Sequence, residues 1–435
     1  MSTVVTKKAS DIIAHLARVR PLISAHIPLF TLSATADTDP GELSGLVSQL
    51  QSLSDRSVGC LSAPIPSRSD SFNGAFACSL AIFDFARATS FRSNIPGRPI
   101  TQVGRWHAFR KDTTRTTEAE KLGSALGGTD LWSLRMNSRS LPVELQALER
   151  ADTIDTVVYF TDGSSEGLVD AFRFFPSATS VGLVATSTPF VTGRPYTLFH
   201  GSAVHSSGAV GVCLNSPKQP TFHTNFPGLQ ALTKAMFVTE SEGNLIHSLD
   251  NMNPTRLLLS AIQQRNGQPG SDGQSGSALD FQLITKDDLF FVGTIRDNGS
   301  DSEASVFQLY HITSGDPSRG TFAIESEFAP TPGMLVQLYH LPRGSVPDVL
   351  SRYLPASFSS PASRKMSFSM SPPDVLSLDE ISEVGPETIV IDDTFLVASE
   401  NGVVIGRQGG DPSTRERPWT CKVPGGEIDL RWALR

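Results

Sequence analysis

Residues 179–188 read "TSVGLVATST" and residues 56–65 read "RSVGCLSAPI". Both are versions of one phrase, an apolar run ending in small residues, and their surroundings match as well. Ahead of the first copy, "IPLFTLSATADTDPGELSGLVSQLQSL" from residue 27 reads as a strand, an Asp/Pro/Gly loop and a helix with Leu43, Leu46, Val47 and Leu50 on one stripe. Ahead of the second, "IDTVVYFTDGSSEGLVDAFRFF" from residue 154 reads as a strand, a turn at Asp162 and Gly163, and a helix carrying Leu168, Val169, Phe172 and Phe175. Behind each copy comes a polar loop and one more strand, "GAFACSLAIFD" at 74–84 and "SGAVGVCLNS" at 207–216. The chain therefore writes a unit of strand, helix, strand, loop and strand twice, over 27–84 and 154–216. A strand that follows a crossover helix joins a covered sheet and is apolar throughout. Val58, Leu61, Val181 and Leu183 are expected to be buried.

Gly59 and Gly182 sit in mid-strand, where a missing Cβ marks a bulge or the close approach of a backbone or a ligand. Ser62 and Ala63, like Thr186 and Ser187, fall at the carboxyl end of the strand, where open α/β sheets bind ligands. Packing glycines and ordinary loop hydroxyls are the plainer alternative.

With 435 residues the chain is long enough for two lobes or domains. Its 39% hydrophobic and 18% charged residues are ordinary for a globular protein, and 29 Pro with 35 Gly imply many turns. A net charge of -8 without a block of Lys and Arg argues against nucleic acid and against an anionic membrane surface. No run reaches the roughly 20 apolar residues of a membrane helix. Cys60, Cys78, Cys213 and Cys421 lie far apart and outside any metal spacing, and read as reduced thiols, which favours a cytoplasmic location. Lys7, Lys8, Arg18 and Arg20 give the N-terminus the look of a weak mitochondrial presequence, but its pattern runs on smoothly as a first strand and amphipathic helix.

The second half is strand-rich. "PGLQALTKAMFVTESEGNLIHSLDNMNPTRLLLSAIQQ" (227–264) reads as strand, turn, strand and a helix entered through Asn253 and Pro254. Residues 266–277 read as a flexible loop. Short strands follow, "LFFVGTI", "SVFQLYHI", "GTFAIES" and "MLVQLYHL", then a helix around "VPDVLSRYL". The Ser/Pro-rich stretch 355–381 reads as a disordered insertion, with Ser367 behind the basic pair Arg364 and Lys365 as a phosphorylation candidate. The fold class expected is mixed α/β, a two-lobed body of repeated strand-helix-strand-strand units with a domain boundary between residues 225 and 226.

"VVYFTDG", "SVGLVATS" and "SSGAVGVCL", followed by "VTESEGNLIHSLDNMNPTRLLLSAI", resemble the FIST family, named for F-box and intracellular signal transduction. "YHITSGDPSRGTFAIES", "PGMLVQLYHL" and the closing "GGEI" at Gly425–Ile428 are similar to its C-terminal part. The chain departs from the family pattern at Tyr339 and His340, in place of Arg-Asp, and at "FLVASENG", which lacks the family's Cys and Arg; no F-box-like segment precedes the first unit. The resemblance implies a small-ligand sensor, with amino acids among the candidate ligands, or a module that recruits a protein partner.

Among the common motifs of catalysis, GxxxxGK[ST], GxGxxG after a strand, HExxH and GxSxG are absent, and no cofactor or metal is implied. His200, His205 and His223 near strand ends, with Asp162 and Glu240, are the only sequence support for a hydrolase or transferase. An amino-acid ligand asks for donors to its carboxylate and a carboxylate for its ammonium. The candidate ligand residues are Asp162, Gly163, Ser164 and Ser165 at the start of the second unit's helix, Gly182, Thr186 and Ser187 in the strand and its end, and His200, Asp250 and Arg296 farther along. Arg296 with Asp297 alternatively forms an ordinary hairpin turn.

Overall fold

The structure, a computed structural model, describes residues 1–23, 26–35, 38–67, 72, 74–96, 141–148, 154–216, 219–266, 288–296, 305–316, 320–342, 348–353, 363–371, 387–407 and 418–433. The first unit runs β1 (Ser2–Thr6), α1 (Ala9–Val19), β2 (His26–Ser33), α2 (Pro40–Gln51), β3 (Val58–Ser62) and β4 (Phe76–Asp84). The second runs β5 (Ala88–Ser93), α3 (Val143–Gln146), β6 (Thr156–Thr161), α4 (Glu166–Ala171), β7 (Thr179–Val184), α5 (Pro189–Thr192), β8 (Leu198–His200), β9 (Ala203–His205) and β10 (Ala209–Leu214). In the first sheet the order is β1-β4-β2-β3-β8-β9, and in the second β5-β10-β6-β7, continued by two C-terminal strands. The β2–β3 and β6–β7 pairs are parallel, and each central strand is antiparallel to the strand on its other side. Strand for strand, the two units share order and direction. The N-terminal segment belongs to this body, since β1 pairs with β4 and Ile12 and Leu16 of α1 are buried.

Alternation along the strands sets the layers. Leu29, Val58 and Cys60 of the first sheet and Val158, Val181 and Leu183 of the second enter one shared core, so the sheets pack face to face. Phe30, Leu32 and Leu61 point the other way, onto α1 and α2; Val157 and Tyr159 likewise pack with Leu168, Phe172 and Phe175 of the α4 region. Val58, Leu61, Val181 and Leu183 are fully buried, as their sequence pattern requires. At the head of α2 the Asp39 side chain accepts from the Glu42 N–H at 2.8 Å, and Pro40 takes the first helical position.

The third body is a ring. β11 (Thr221–Asn225) and β12 (Gln230–Ala231) lead to β13 (Met236–Glu242), β14 (Leu245–Leu249), α6 (Pro254–Asn266), β15 (Leu289–Arg296), β16 (Ser305–Asp316), β17 (Thr321–Ile324) and β18 (Leu335–Leu341). Strands β13, β14, β17, β16 and β15 pair in sequence and β15 closes on β18, which also holds β13. Asn253 caps α6 by accepting from the Arg256 N–H, as the Asn-Pro pair predicts. The helix expected around 346–354 is, among the described residues, a single 3-10 turn at Leu350–Tyr353.

The C-terminal strands are β19 (Ser363–Met370), β20 (Thr388–Asp392), β21 (Thr394–Ser399), β22 (Val403–Arg407), β23 (Trp419–Cys421) and β24 (Glu427–Ala433). Here two expectations are corrected. Residues 363–371, inside the stretch read as a disordered insertion, form the inner strand β19 of a sheet ordered β11-β24-β19-β21, with Met366, Phe368 and Met370 in the core; the flanking residues 355–362 and 372–381 lie outside the described residues, as do 267–277 and Asp297. Ser367, 1% exposed, is no phosphorylation site. A cut between residues 225 and 226 also separates paired strands: β20 lies on β1, β22 on β7 and β24 on β11. Among the described residues no helix is long and apolar enough to cross a membrane. Burial raises the thiols of all four cysteines above their usual range, Cys78 to about 12, and all four are free.

Candidate functional site

The twin strands end together. The Thr186 N–H, just past β7, donates to the Leu61 carbonyl of β3, and the Ala63 N–H donates to Ala398 at the end of β21. Ser399 fixes this junction by donating its hydroxyl to the Val184 carbonyl and accepting from the Asn401 and Gly402 N–H groups. The next residue, Glu400, accepts from the Thr186 hydroxyl at 2.8 Å and from the Ser187 N–H at 3.1 Å. Asn401 donates to the Ala185 carbonyl.

The turn after β6 borders the same junction. Asp162 Oδ1 accepts from Ser164 N and Oδ2 from Gly208 N at 2.7 Å, so its carboxylate ties the turn to the head of β10. Gly163 takes φ 90, and a Cβ there would stand 3.8 Å from the Tyr196 hydroxyl. Tyr196 is half-buried; burial, then Asp162, then Glu400 raise its pKa. A phenol thus lies within the field of two carboxylates, which suits donors such as an ammonium group. Asp162, Gly163, Ser164, Thr186 and Ser187 thus border one polar junction, in which Gly163, Ser164, Ser187 and Glu400 are exposed and Thr186 and Ser165 are buried.

The other expected residues go elsewhere. At Gly182 a Cβ would stand 2.1 Å from Cζ of Tyr159, so the space is filled by that ring, and no ligand approaches through it. Gly59 has the same relation to Phe30, whose ring lies 2.5 Å from the Cβ position. Both pairs are register partners on parallel strands, Phe30 with Gly59 and Tyr159 with Gly182. The glycine of the twin phrase is there for a neighbouring aromatic. His200 sits on β8 opposite Val58, its Nε2 buried without a hydrogen-bond partner among the described residues, and burial lowers its pKa. Asp250, at φ 46 after β14, accepts from the Phe237 N–H, and Arg296 ends β15 paired with Ser305. Both belong to the strand ring.

None of His200, His205 and His223 forms an ion pair or hydrogen bond with a carboxylate among the described residues; His223 meets Thr221. The histidine–carboxylate pairs are instead His340 with Asp288 at 3.5 Å and His311 with Glu325 at 3.7 Å, both on the ring. Glu400, Asn401 and Tyr196 are the residues of this junction that sequence reasoning missed. "FLVASENG" held the signal, for this departure from the family pattern is the segment that delivers Glu400 and Asn401.

Two copies of one α/β unit, sheets packed face to face, with polar groups gathered where the strands end, define the class of the N-terminal body. A family model for the FIST N domain matches residues 29–252, more than half of the chain, and the protein belongs to the FIST family, a signal-transduction family to which small-ligand binding is attributed. No curated protein matches the chain.

Proposed function

We propose that the protein is a FIST-type sensor that takes a small ligand, a free amino acid, at the polar junction where β3, β6 and β7 end. The observation that carries this reading is the contact of Thr186 and Ser187 with Glu400, beside Tyr196 and the Asp162 turn. The ligand's ammonium meets Glu400, whose Oε2 has no partner among the described residues, and the Ser164 and Ser187 hydroxyls serve its carboxylate. A thermal-shift screen of the twenty amino acids on wild type, Glu400→Gln and Thr186→Val tests it. A rise in Tm in wild type that both variants lose supports the reading; equal shifts in all three place the ligand elsewhere.

A second reading, capture of a protein partner, rests on Phe190 of α5. This large apolar side chain is 93% exposed, close behind Ser187. Phe190→Ser should abolish partner binding while leaving amino-acid shifts intact.

A further inference from the structure

The sheet β11-β24-β19-β21 has a second face that the main core does not use. Met366, Phe368 and Met370 enter the core, so Lys365, Ser367 and Ser369 share the opposite face of β19. On β24, Ile428 and Leu430 go to the core, and the register sets Arg431 opposite Lys365, Asp429 opposite Ser367 and Glu427 opposite Ser369. The 3-10 turn closes over this face: Arg352 donates to Glu427 Oε2 at 2.6 Å, and the Lys365 ammonium lies 5.2 Å from the centre of the Tyr353 ring.

On β19 and β24 this face is polar and interior, with Ser367, Ser369 and Asp429 at 1%, 0% and 5% exposure, whereas on β21 Leu396 and Ala398, beside Ser367 and Ser369, join an apolar cluster with Val349 and Leu350. Ser367 Oγ, Ser369 Oγ and Asp429 Oδ1 are buried without a hydrogen-bond partner among the described residues, an arrangement that costs stability unless a water or a ligand supplies the partner. Asp429 Oδ2 is held by Arg431 at 2.6 Å, whereas Lys365 stands 3.6 Å from it, beyond hydrogen-bond reach. Among the described residues the formal charges on this face are Lys365, Arg352 and Arg431 against Glu427 and Asp429, and β11 adds Thr221, His223 and Asn225 opposite Arg431, Asp429 and Glu427. One formal positive charge is in surplus, in a chain whose net charge is -8.

We propose that this face is a binding site for a small α-hydroxy acid. Its carboxylate takes the Lys365 ammonium, and its hydroxyl donates to Asp429 Oδ1 between the two serines. A monoanion neutralises the surplus cation, whereas a zwitterionic amino acid does not, and a plain carboxylate such as acetate leaves Asp429 Oδ1 without a donor. Entry requires the turn that carries Arg352 and Tyr353 to lift. The site shares no residue with the strand-end junction, so either reading can fail alone.

Calorimetric titration of the full chain with glycolate, lactate, acetate and glycine tests the proposal. Glycolate or lactate should bind saturably and more tightly than acetate or glycine. Lys365→Gln should weaken that binding by at least about tenfold, the loss of one charge-assisted contact, and Ser367→Ala should weaken it too, while Glu400→Gln leaves it unchanged. Lys365 is the deciding position, because its side chain is part-exposed and its replacement spares the core. Absence of hydroxy-acid binding at millimolar concentration overturns the proposal. So does equal binding of acetate or glycine, or a Ser367→Ala variant that melts higher with hydroxy-acid affinity untouched.

Discussion

Replacing Gly182 by alanine asks for a methyl group where Tyr159 already lies. The new Cβ would stand 2.1 Å from Cζ and 2.5 Å from the hydroxyl oxygen, far inside the roughly 3.5 Å at which non-bonded carbons meet. Tyr159 has no room to swing. It is fully buried, lies edge-on to Phe172 at 5.5 Å, and is flanked on β10 by Gly211, where a Cβ would come within 2.6 Å of the Cβ of Tyr159. The sheet must therefore yield, at the ~1–3 kcal/mol typical of overpacking, with Gly182→Val at the upper end. Shortening the ring removes the conflict. In a Tyr159→Val background, Gly182→Ala should be neutral or should stabilise by about 0.5–1 kcal/mol, the ordinary advantage of Ala over Gly in a strand. Urea unfolding of wild type, both single variants and the double variant gives the coupling energy of the cycle directly. If Gly182→Ala costs the same with and without the ring, Tyr159 is not what excludes the methyl group, and the reasoning fails.

The equivalent cycle at Gly59 and Phe30 should give coupling of the same sign, since the Cβ position lies 2.5 Å from the Phe30 ring; a coupling near zero there would break the equivalence of the two units. Glu325 is held at about 2 by the neighbouring His311 and by the hydrogen bond from Lys422. A carboxylate with a depressed folded pKa adds stability above its unfolded value of 4.5, and that contribution fades as pH falls from 4.5 towards 2; Lys422→Met should raise the Glu325 midpoint in an NMR titration and flatten this acid-side loss. Deleting residues 363–371 removes an inner strand, so the product should be insoluble or fail to show a cooperative melt. Asp39→Ala should cost about 1 kcal/mol through loss of the α2 cap, read from urea midpoints.

The doubled unit was legible because its strands are apolar throughout and its helices carry single stripes, signals that local sequence holds by itself. The reason for its glycines was not, since Phe30 and Tyr159 reach Gly59 and Gly182 only through the registers of β2–β3 and β6–β7. β19 was hidden by composition. "KMSFSM" from Lys365 alternates strictly, but its polar positions beyond Lys365 are serines, so among Pro and Ser it passes for an unstructured tract. Half of the strand-end junction could be read, because Asp162–Ser165 and Thr186–Ser187 follow recognisable strands. Glu400 comes from more than two hundred residues downstream, and no local pattern announces that its oxygen will cap the end of β7.

The pairing of β20 with β1 joins residues 388–392 to residues 2–6, with consequences for a chain still being made. β1, β2, β3 and β4 leave the ribosome within the first hundred residues, but the strand that covers the outer edge of β1 follows about three hundred residues later. At roughly 5–20 residues per second, that edge stays open for about 15–60 s of synthesis. Over that interval the nascent sheet has a free row of backbone donors and acceptors beside Val4 and Val5, the kind of edge that recruits other strands. Ribosome-associated chaperones are expected to matter most for this protein between the emergence of β4 and that of β20.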